Sequence, residues 1–399
     1  MSVILGMHAS DDFAADERPK DWREAILYMF PNGMVPFNAL LAKARKEKTT
    51  DPQFNWWSKG ETIRYSQINH VGGYSDAATE MVVDDASVFR ADDLVTVVND
   101  INSIDEVMMV SSVNTGTNTL TVSRNWAGDG AHAVSDNDYV LVIGNANEEG
   151  AGIREGLYTQ PTKDYNYTQI FRTPLELTRT AQKTKAWTGE RLNDAKREAL
   201  YIHSCDMERA FLFSGRHEAT GGGGKPKRTT GGVVRHFIHA DNVVSCNSGG
   251  TAGNLDIGDW ETYLQQMFRY GSQDKLAFCG NQALLVLNRM ARKESEMSLQ
   301  PNAKFFGMKL TQWVTPWGTL TLKSHPLFNE IPGHSRCILA IDMDNVVYRF
   351  LDDTDFLKDR QANDIDGQKS EFLTEAGLEV HHPRTHYLLK NVNAYAAEA

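Results

Sequence analysis

Glu190 to Ser214 read ERLNDAKREALYIHSCDMERAFLFS, a long stretch with a helical signal and neither proline nor glycine. Leu192, Ala195, Ala199, Ile202 and Met207 fall on an apolar stripe, Thr188 is placed to cap the start, and Glu190 sits in the first turn. Nothing interrupts until Gly215, which predicts a helix about 37 Å long at ~1.5 Å per residue. Beyond it, Gly221-Gly222-Gly223-Gly224-Lys225-Pro226-Lys227-Arg228 reads as a basic loop with no intrinsic order. The chain on either side carries mostly β-type or mixed patterns, so the expected class is α+β.

On the N-terminal side, residues 81–145 differ from their surroundings. Leu94 to Val98, Glu106 to Val113, Thr119 to Ser123 and Tyr139 to Ile143 are short β-type runs, separated by turns such as Asn114-Thr115-Gly116. They predict a small all-β module, poor in Lys and Arg and dotted with aspartates, at the solvent surface. Two extended segments flank it, 52–80 and 146–175, and are expected to pair as one hairpin with the module at its tip. Twenty residues per arm would reach about 60 Å at ~3.3 Å per residue. A two-stranded ribbon of that length is barely stable alone, so it is expected to lie on a neighbouring copy.

Further out, Trp22 to Lys48 suits a helix, a break at Pro31-Asn32-Gly33, and a second helical stretch with Phe37, Leu40 and Leu41. The basic cluster Lys43 to Lys48 then reads as a solvated helix end. On the C-terminal side, Leu255 to Asp344 is mixed α/β. Helices are expected near Asp259 to Tyr270 and Gln282 to Arg292, and strands near Lys275 to Phe278, Leu320 to Lys323 and Cys337 to Ile341. Strands at Phe372 to Val380 and Tyr387 to Val392 follow, with His381-His382-Pro383-Arg384 between them.

A chain of 399 residues is expected to form two or three domains, and 41% hydrophobic with 23% charged residues is ordinary for a folded protein. No apolar run approaches the roughly 18 residues that a bilayer crossing needs. Val3 to Met7 is a short apolar patch with no basic residue before it, which does not read as a secretory signal. Cys205, Cys246, Cys279 and Cys337 stand far apart, a pattern of free thiols in a reducing cytosol. The net charge of −11 speaks against gripping nucleic acid over the whole surface. Residues 163–235 nevertheless hold 14 Lys and Arg against 8 Asp and Glu, leaving 27 against 44 elsewhere. Such a block could meet acidic patches on copies of itself, or polyphosphate.

No motif assembles a reactive site. Around Gly221 to Lys225 a phosphate loop would need glycine at 219 and a hydroxyl at 226, where Ala219 and Pro226 stand. His381, His382 and His386, and the pair His236 and His239, lack the cysteine or glutamate partners of zinc motifs and read as surface or interface histidines. Asp364-Ile365-Asp366-Gly367 fails the calcium-loop frame, whose ends would fall on Ala362 and Leu373. Asp352-Asp353-Thr354-Asp355, Asp342 and Asp344 read as turn and cap residues. No nucleophile motif such as G-x-S-x-G is present, so no catalytic, cofactor-binding or metal-ligating residue is assigned.

Several stretches together resemble one family. LAIDMDNVVYRFLDDTDFLKDRQANDIDGQKSEFLTEAGLEVHHPRTHYLLKNV, Leu339 to Val392, is similar to the end of the SU-ten-like major head protein family. MFPNGMVPFNALLAKARKEKTTDPQFNWW, Met29 to Trp57, is similar to its start, and GTLTLKSHPLF, Gly318 to Phe328, to its apical strands. Ile170 to Ala181 followed by the long helix resembles the spine-helix region of tailed-phage capsid proteins, whose fold is named after phage Hong Kong ninety-seven. The resemblance implies an N-terminal arm over 1–51, an extended loop from 52–80 and 146–175, and an inserted β domain at 81–145. It further implies a peripheral domain from 176–250 and 351–399, and an axial domain over 251–350. It implies a self-assembling shell subunit, not an enzyme, that forms pentamers and hexamers of an icosahedral or prolate head around double-stranded DNA. Implied partners are further copies of the chain, a portal protein, a separate scaffolding protein (little room for a built-in one precedes Trp22), a decoration protein and weakly held DNA, without a membrane. The implied location is the virion, after assembly in the host cytoplasm. The alternative of the same fold is an encapsulin-like compartment shell.

Overall fold

The computed structural model describes residues 35–42, 44–98, 103–154, 156–184, 191–293, 300–305, 308–330 and 332–396. The expected helix from Trp22, the patch Val3 to Met7 and the cap Thr188 lie outside them. The chain divides into two compact units, Lys59–Thr162 and the flanking Met1–Ser58 with Lys163–Ala399.

The described chain enters the second of these with helix α1 (Pro36–Leu41), whose Phe37, Leu40 and Leu41 are buried. Pro36 at the first helical position fits there because its missing N–H would have no intrahelical partner. Of the cluster Lys43 to Lys48, Lys43 lies outside the described residues, and 44–48 do not continue as a solvated helix end. Strand β1 (Lys46–Lys48) instead pairs in parallel with Tyr348, Arg349 and Phe350. Tertiary pairing overrides local propensity here, helped by Glu47 meeting Arg349 and Lys46 meeting Asp353. Strand β2 (Gln53–Ser58) then alternates, with Phe54 and Trp56 inward and Asn55 and Trp57 outward.

The Lys59–Thr162 unit is a barrel. Its strands β3 (Tyr65–Gln67), β4 (Glu80–Val82), β5 (Asp93–Val98), β6 (Ser103–Asn114), β7 (Thr119–Ser123) and β8 (Tyr139–Asn145) lie in the order β3-β8-β5-β6-β7-β4. An antiparallel bridge from Ile68 to Val83 joins the two ends of that order and closes the sheet. Ile68, Met81, Val95, Val110, Leu120 and Val140 fill the interior as a core of its own.

The expected hairpin over 52–80 and 146–175 is therefore corrected. Residues 65–82 belong to the barrel, β2 pairs among the described residues only with β9 (Thr162–Tyr167), and β10 (Gln169–Thr178) pairs along its length with Gly367–Val380. The physical reason lies in Ile68, Met81 and Val83, each buried, which gain more inside a closed barrel than along an open ribbon. Gly73 at φ 62° turns the chain in the middle of the supposed arm. Because β2 and β9 are neighbours, the chain leaves for the barrel and returns at adjacent points. Excising 59–162 and joining Ser58 to Lys163 through a short Gly/Ser linker is expected to leave the remaining unit folded with its own urea midpoint. Aggregation or a lowered midpoint of that unit would count against independent folding.

After β10 come α2 (Arg179–Lys183), capped by the Thr178 hydroxyl, and the long α3 (Arg191–Phe213). Ala199, His203, Met207 and Phe211, four apart, are buried, as are Glu208 and Leu212. The expected stripe is half right, since Ile202 is 44% exposed and two polar residues stand inside. The expected structureless loop is a hairpin, β11 (His217–Thr220) with β12 (Pro226–Thr229), in which Glu218 faces Arg228.

Two sheets complete this unit. The four-stranded one runs β1, Val346–Leu357, Gly367–Val380 and β10, and packs against α3. Asp352 to Asp355 are strand residues, not a turn, and the ladder shifts register at Asp352 and before Asp355, which accommodates them. The seven-stranded sheet runs Val243–Ser245, Tyr387–Lys390, Ile338–Ile341, Asp274–Cys279, Gly318–Ser324, Met308–Thr315 and Gln300–Phe305. Val243–Ser245 and Tyr387–Lys390 thus join the sheet of the expected axial region, not the spine helix. The helices Ile257–Met267 and Asn281–Lys293 cover this sheet, with Trp260, Leu264, Val286, Leu287 and Met290 in the core. The class is α+β, as read from the sequence.

Buried polar junctions and candidate assembly surfaces

The inner face of α3 holds a carboxylate where a hydrophobic side chain would be expected. Glu208 accepts the N–H of Phe37 at 3.2 Å and of Asn38 at 3.1 Å, so it caps α1 from 171 and 170 residues away. His325 Nε2 lies 2.7 Å from Glu208 Oε1, and both side chains are fully buried. Asn38 Nδ2 donates to Ser204 O at 2.7 Å. One turn earlier, His203 is held between the hydroxyls of Thr173 and Thr374, and burial pushes its pKa below the usual histidine range. These contacts fasten α1, α3 and the four-stranded sheet into one plate.

A second junction lies at the end of the seven-stranded sheet. The buried Lys275 ammonium donates to the carbonyls of Met267 at 2.5 Å, Tyr270 at 2.7 Å and Thr385 at 2.6 Å, and burial pulls its pKa down to about 8. Asp342 accepts the N–H of Ser272 and the amide of Asn345. His386 Nδ1 accepts from Asp342 N–H at 3.3 Å, and burial takes this histidine down to about 4 against the opposing pull of Asp342.

In an unfolded chain His386 titrates near 6.5. Between that value and about 4 the unfolded state binds a proton that the native state refuses, so stability falls as pH drops through this window and is flat above it. The full effect is about 3 kcal/mol. His386→Gln is expected to lose clearly less stability than the wild type in urea titrations between about pH 7 and about pH 4.5. Equal losses in both would discard His386 as the source.

The barrel has two polar hubs. Glu106, fully buried, receives both arms of Arg124 at 2.7 and 2.6 Å and the N–H groups of Asn125 and His132. Burial raises its pKa, but the Arg124 hydrogen bond and the two backbone N–H groups more than reverse this, and the net shift is downward. Buried Asp93 takes Arg64 on one oxygen and Arg154 on the other, which ties the segment after β8 back to the barrel.

The outer surfaces divide by charge. Residues 59–162 hold 16 Asp and Glu against 5 Lys and Arg, so the barrel unit carries the chain's whole −11, and the other residues balance at 36 of each sign. Tyr65, Tyr139, Leu141 and Ile143 stand exposed on the outside of β3 and β8. In the other unit, Trp57, Ile170, Val314 and Trp317 are exposed. Such surfaces suit contacts between macromolecules, not a small-molecule pocket.

The motifs weighed in the sequence fall elsewhere. Gly221 to Lys225 is the turn of the β11–β12 hairpin. His381 Nε2 meets Glu379 at 2.5 Å, His382 adopts a left-handed turn, and His386 is buried, so these three do not share a strand face. His236 Nε2 accepts from Arg216 N–H, and His239 accepts from Asp241 N–H. Asp366 pairs with Arg179, and Asp342 caps a short turn by accepting from Asp344 N–H. Among the described residues no group of three or more His, Cys, Asp or Glu is placed to hold a metal ion. The Cys246 thiol is pushed up to about 12 by burial, and Cys279 is pushed up as well.

The family model described as SU10 major capsid protein matches residues 8–393, barrel included. The chain belongs to the SU10 major capsid protein family. It is a phage major capsid protein, in a family of structural proteins and not an enzyme class. A relative, the major capsid protein of Pseudomonas phage PaMx41, is 25% identical over 370 residues, covering 88% of this chain and 83% of that one. Among solved structures, the capsid of Myoviridae phage XM1 is similar at 11% identity, covering 93% and 96% of the two chains, with a TM-score of 0.43. The capsid of the native GTA particle gives 10%, 95% and 96%, with 0.42. The holo-SrpI encapsulin of Synechococcus elongatus PCC 7942 gives 12%, 59% and 77%, with 0.40. Among the described residues of this capsid protein no helix is long and apolar enough to cross a membrane.

Proposed function

We propose that this capsid protein assembles as pentamers and hexamers into an icosahedral or prolate head around double-stranded DNA, with a portal protein and a separate scaffolding protein, in the host cytoplasm. The family match over residues 8–393 is the observation that supports this reading. The arm then lies within 1–51, the peripheral domain is centred on α3, and the axial domain is centred on the seven-stranded sheet, which takes in Val243–Ser245 and Tyr387–Lys390 beyond 251–350. The barrel with its β2 and β9 stem stands where the family's extended loop is expected. A net negative chain avoids a salt-sensitive grip on the packaged genome. A decoration protein would find exposed apolar side chains on the barrel.

Electron microscopy of the purified full chain, alone and with a candidate scaffolding protein from the same genome, tests the reading. Closed shells with five- and six-fold capsomers are expected, regular in size only with the helper. A chain that stays monomeric or dimeric in every condition would sink it. Closed shells that carry a cargo enzyme and no nucleic acid would favour the encapsulin-like alternative.

A further inference from the structure

Among the described residues hairpin β11–β12 pairs with no other strand, and its outer residues Glu218, Ala219, Lys225 and Lys227 are exposed. A two-stranded ribbon in water is marginally stable unless something packs on it. Its base is fastened, by Thr229 Oγ1 donating to Gly215 O at 2.6 Å and by the pair Arg228–Glu218. Its tip is open, for a side chain added at Gly222, Gly223 or Gly224 would meet nothing within 4 Å. Among the described residues no carboxylate forms an ion pair with Lys225 or Lys227.

A partner for these two ammonium groups must be anionic, and the chain itself supplies an anionic surface of the right magnitude. The barrel unit carries −11, whereas residues 163–235 carry 14 basic against 8 acidic side chains. Two barrels facing each other would repel, which disfavours a self-complementary barrel contact. A basic hairpin against an acidic barrel is a heterologous contact, and identical copies supply its two halves in equal number.

We propose that the β11–β12 hairpin of one subunit docks through Lys225 and Lys227 on the carboxylate surface of residues 59–162 of a neighbouring subunit. The inference rests on the shell reading above. Each exposed ion pair is weak, so the contact acts by repetition around the shell and by steering which faces meet.

Zero-length carbodiimide cross-linking of assembled full-length particles, made from an equal mixture of light and nitrogen-15 chains, tests it. Peptides of mixed label joining Lys225 or Lys227 to an Asp or Glu of 59–162 are expected. Lys225→Arg/Lys227→Arg should keep particles but lose the link. Lys225→Glu/Lys227→Glu should give particles that fall apart at lower salt than the wild type. Links only within one chain, links only to residues outside 59–162, or unlinked lysines would overturn the docking. So would protection of these lysines that vanishes on nuclease treatment, which would make polyphosphate the occupant. Particles without the link overturn the docking alone, whereas a chain that never forms particles overturns the shell reading.

Discussion

Arg124→Met is expected to destabilise the barrel unit by about 3–5 kcal/mol, a large part of what holds a domain of this size together. The substitution roughly keeps the side chain's apolar length but strands Glu106, which is fully buried. The carboxylate keeps the N–H groups of Asn125 and His132 and loses both guanidinium contacts, while the carbonyls of Ser75, Ala78 and His132 lose a donor. A stranded carboxylate escapes part of this cost by taking up a proton, so the penalty should shrink as pH falls toward the carboxylate range. Pairing the change with Glu106→Leu should recover only part of the loss, because those two N–H groups then have no acceptor. Hydrogen exchange read peptide by peptide separates the units. Faster exchange confined to 59–162 is the expected pattern, and an unchanged barrel, or equal loss in both units, would refute it.

That hub was invisible in the sequence, where Glu106 stands at the head of a β-type run and Arg124 near a turn. Period-two alternation located β5, β7 and β8 within two residues because their inward residues, Val95, Val97, Leu120, Val122 and Val140, are apolar. The three-residue strands β3 and β4 carry too little pattern to be seen, and their partners are set by closure of the barrel. The bounds of α3 were legible from an uninterrupted helical window. Its buried face was not, since a hydrophobic stripe assigns His203 and Glu208 to solvent. The available signal was spacing, because Glu208 follows Ser204 and precedes Leu212 by four, in line with α3's inner face.

The paired ribbon of 52–80 and 146–175 was the physical argument for contact with a neighbour, and the strands of that ribbon are largely paired within their own chain. The family resemblance, carried by Leu339 to Val392 and Met29 to Trp57, did not depend on that ribbon and agrees with the match over 8–393. A strand register depends on partners hundreds of residues away, whereas a family pattern survives as local residue choices along the chain. The glycine-rich segment that composition alone marks as disordered is the β11–β12 hairpin.

The other large effect is expected at the base of α1. Glu208→Ala should cost about 3–5 kcal/mol, because it removes the carboxylate beside buried His325 and the shared acceptor of two α1 amides. Glu208→Gln keeps one oxygen for those amides and fills the same volume, so its cost should be roughly half. The two variants therefore separate the lost charge from the lost volume and acceptor, and amide exchange reads the cap itself. α1 carries Phe37, Leu40 and Leu41 into the core beside Phe278 and Phe328, so losing its cap loosens the junction between the four-stranded and seven-stranded sheets. Urea midpoints give the sizes, and exchange of the Phe37 and Asn38 amides gives the place. Should alanine and glutamine cost the same, and those amides stay protected in both, the loss would belong to the charge beside His325 and not to the cap of α1.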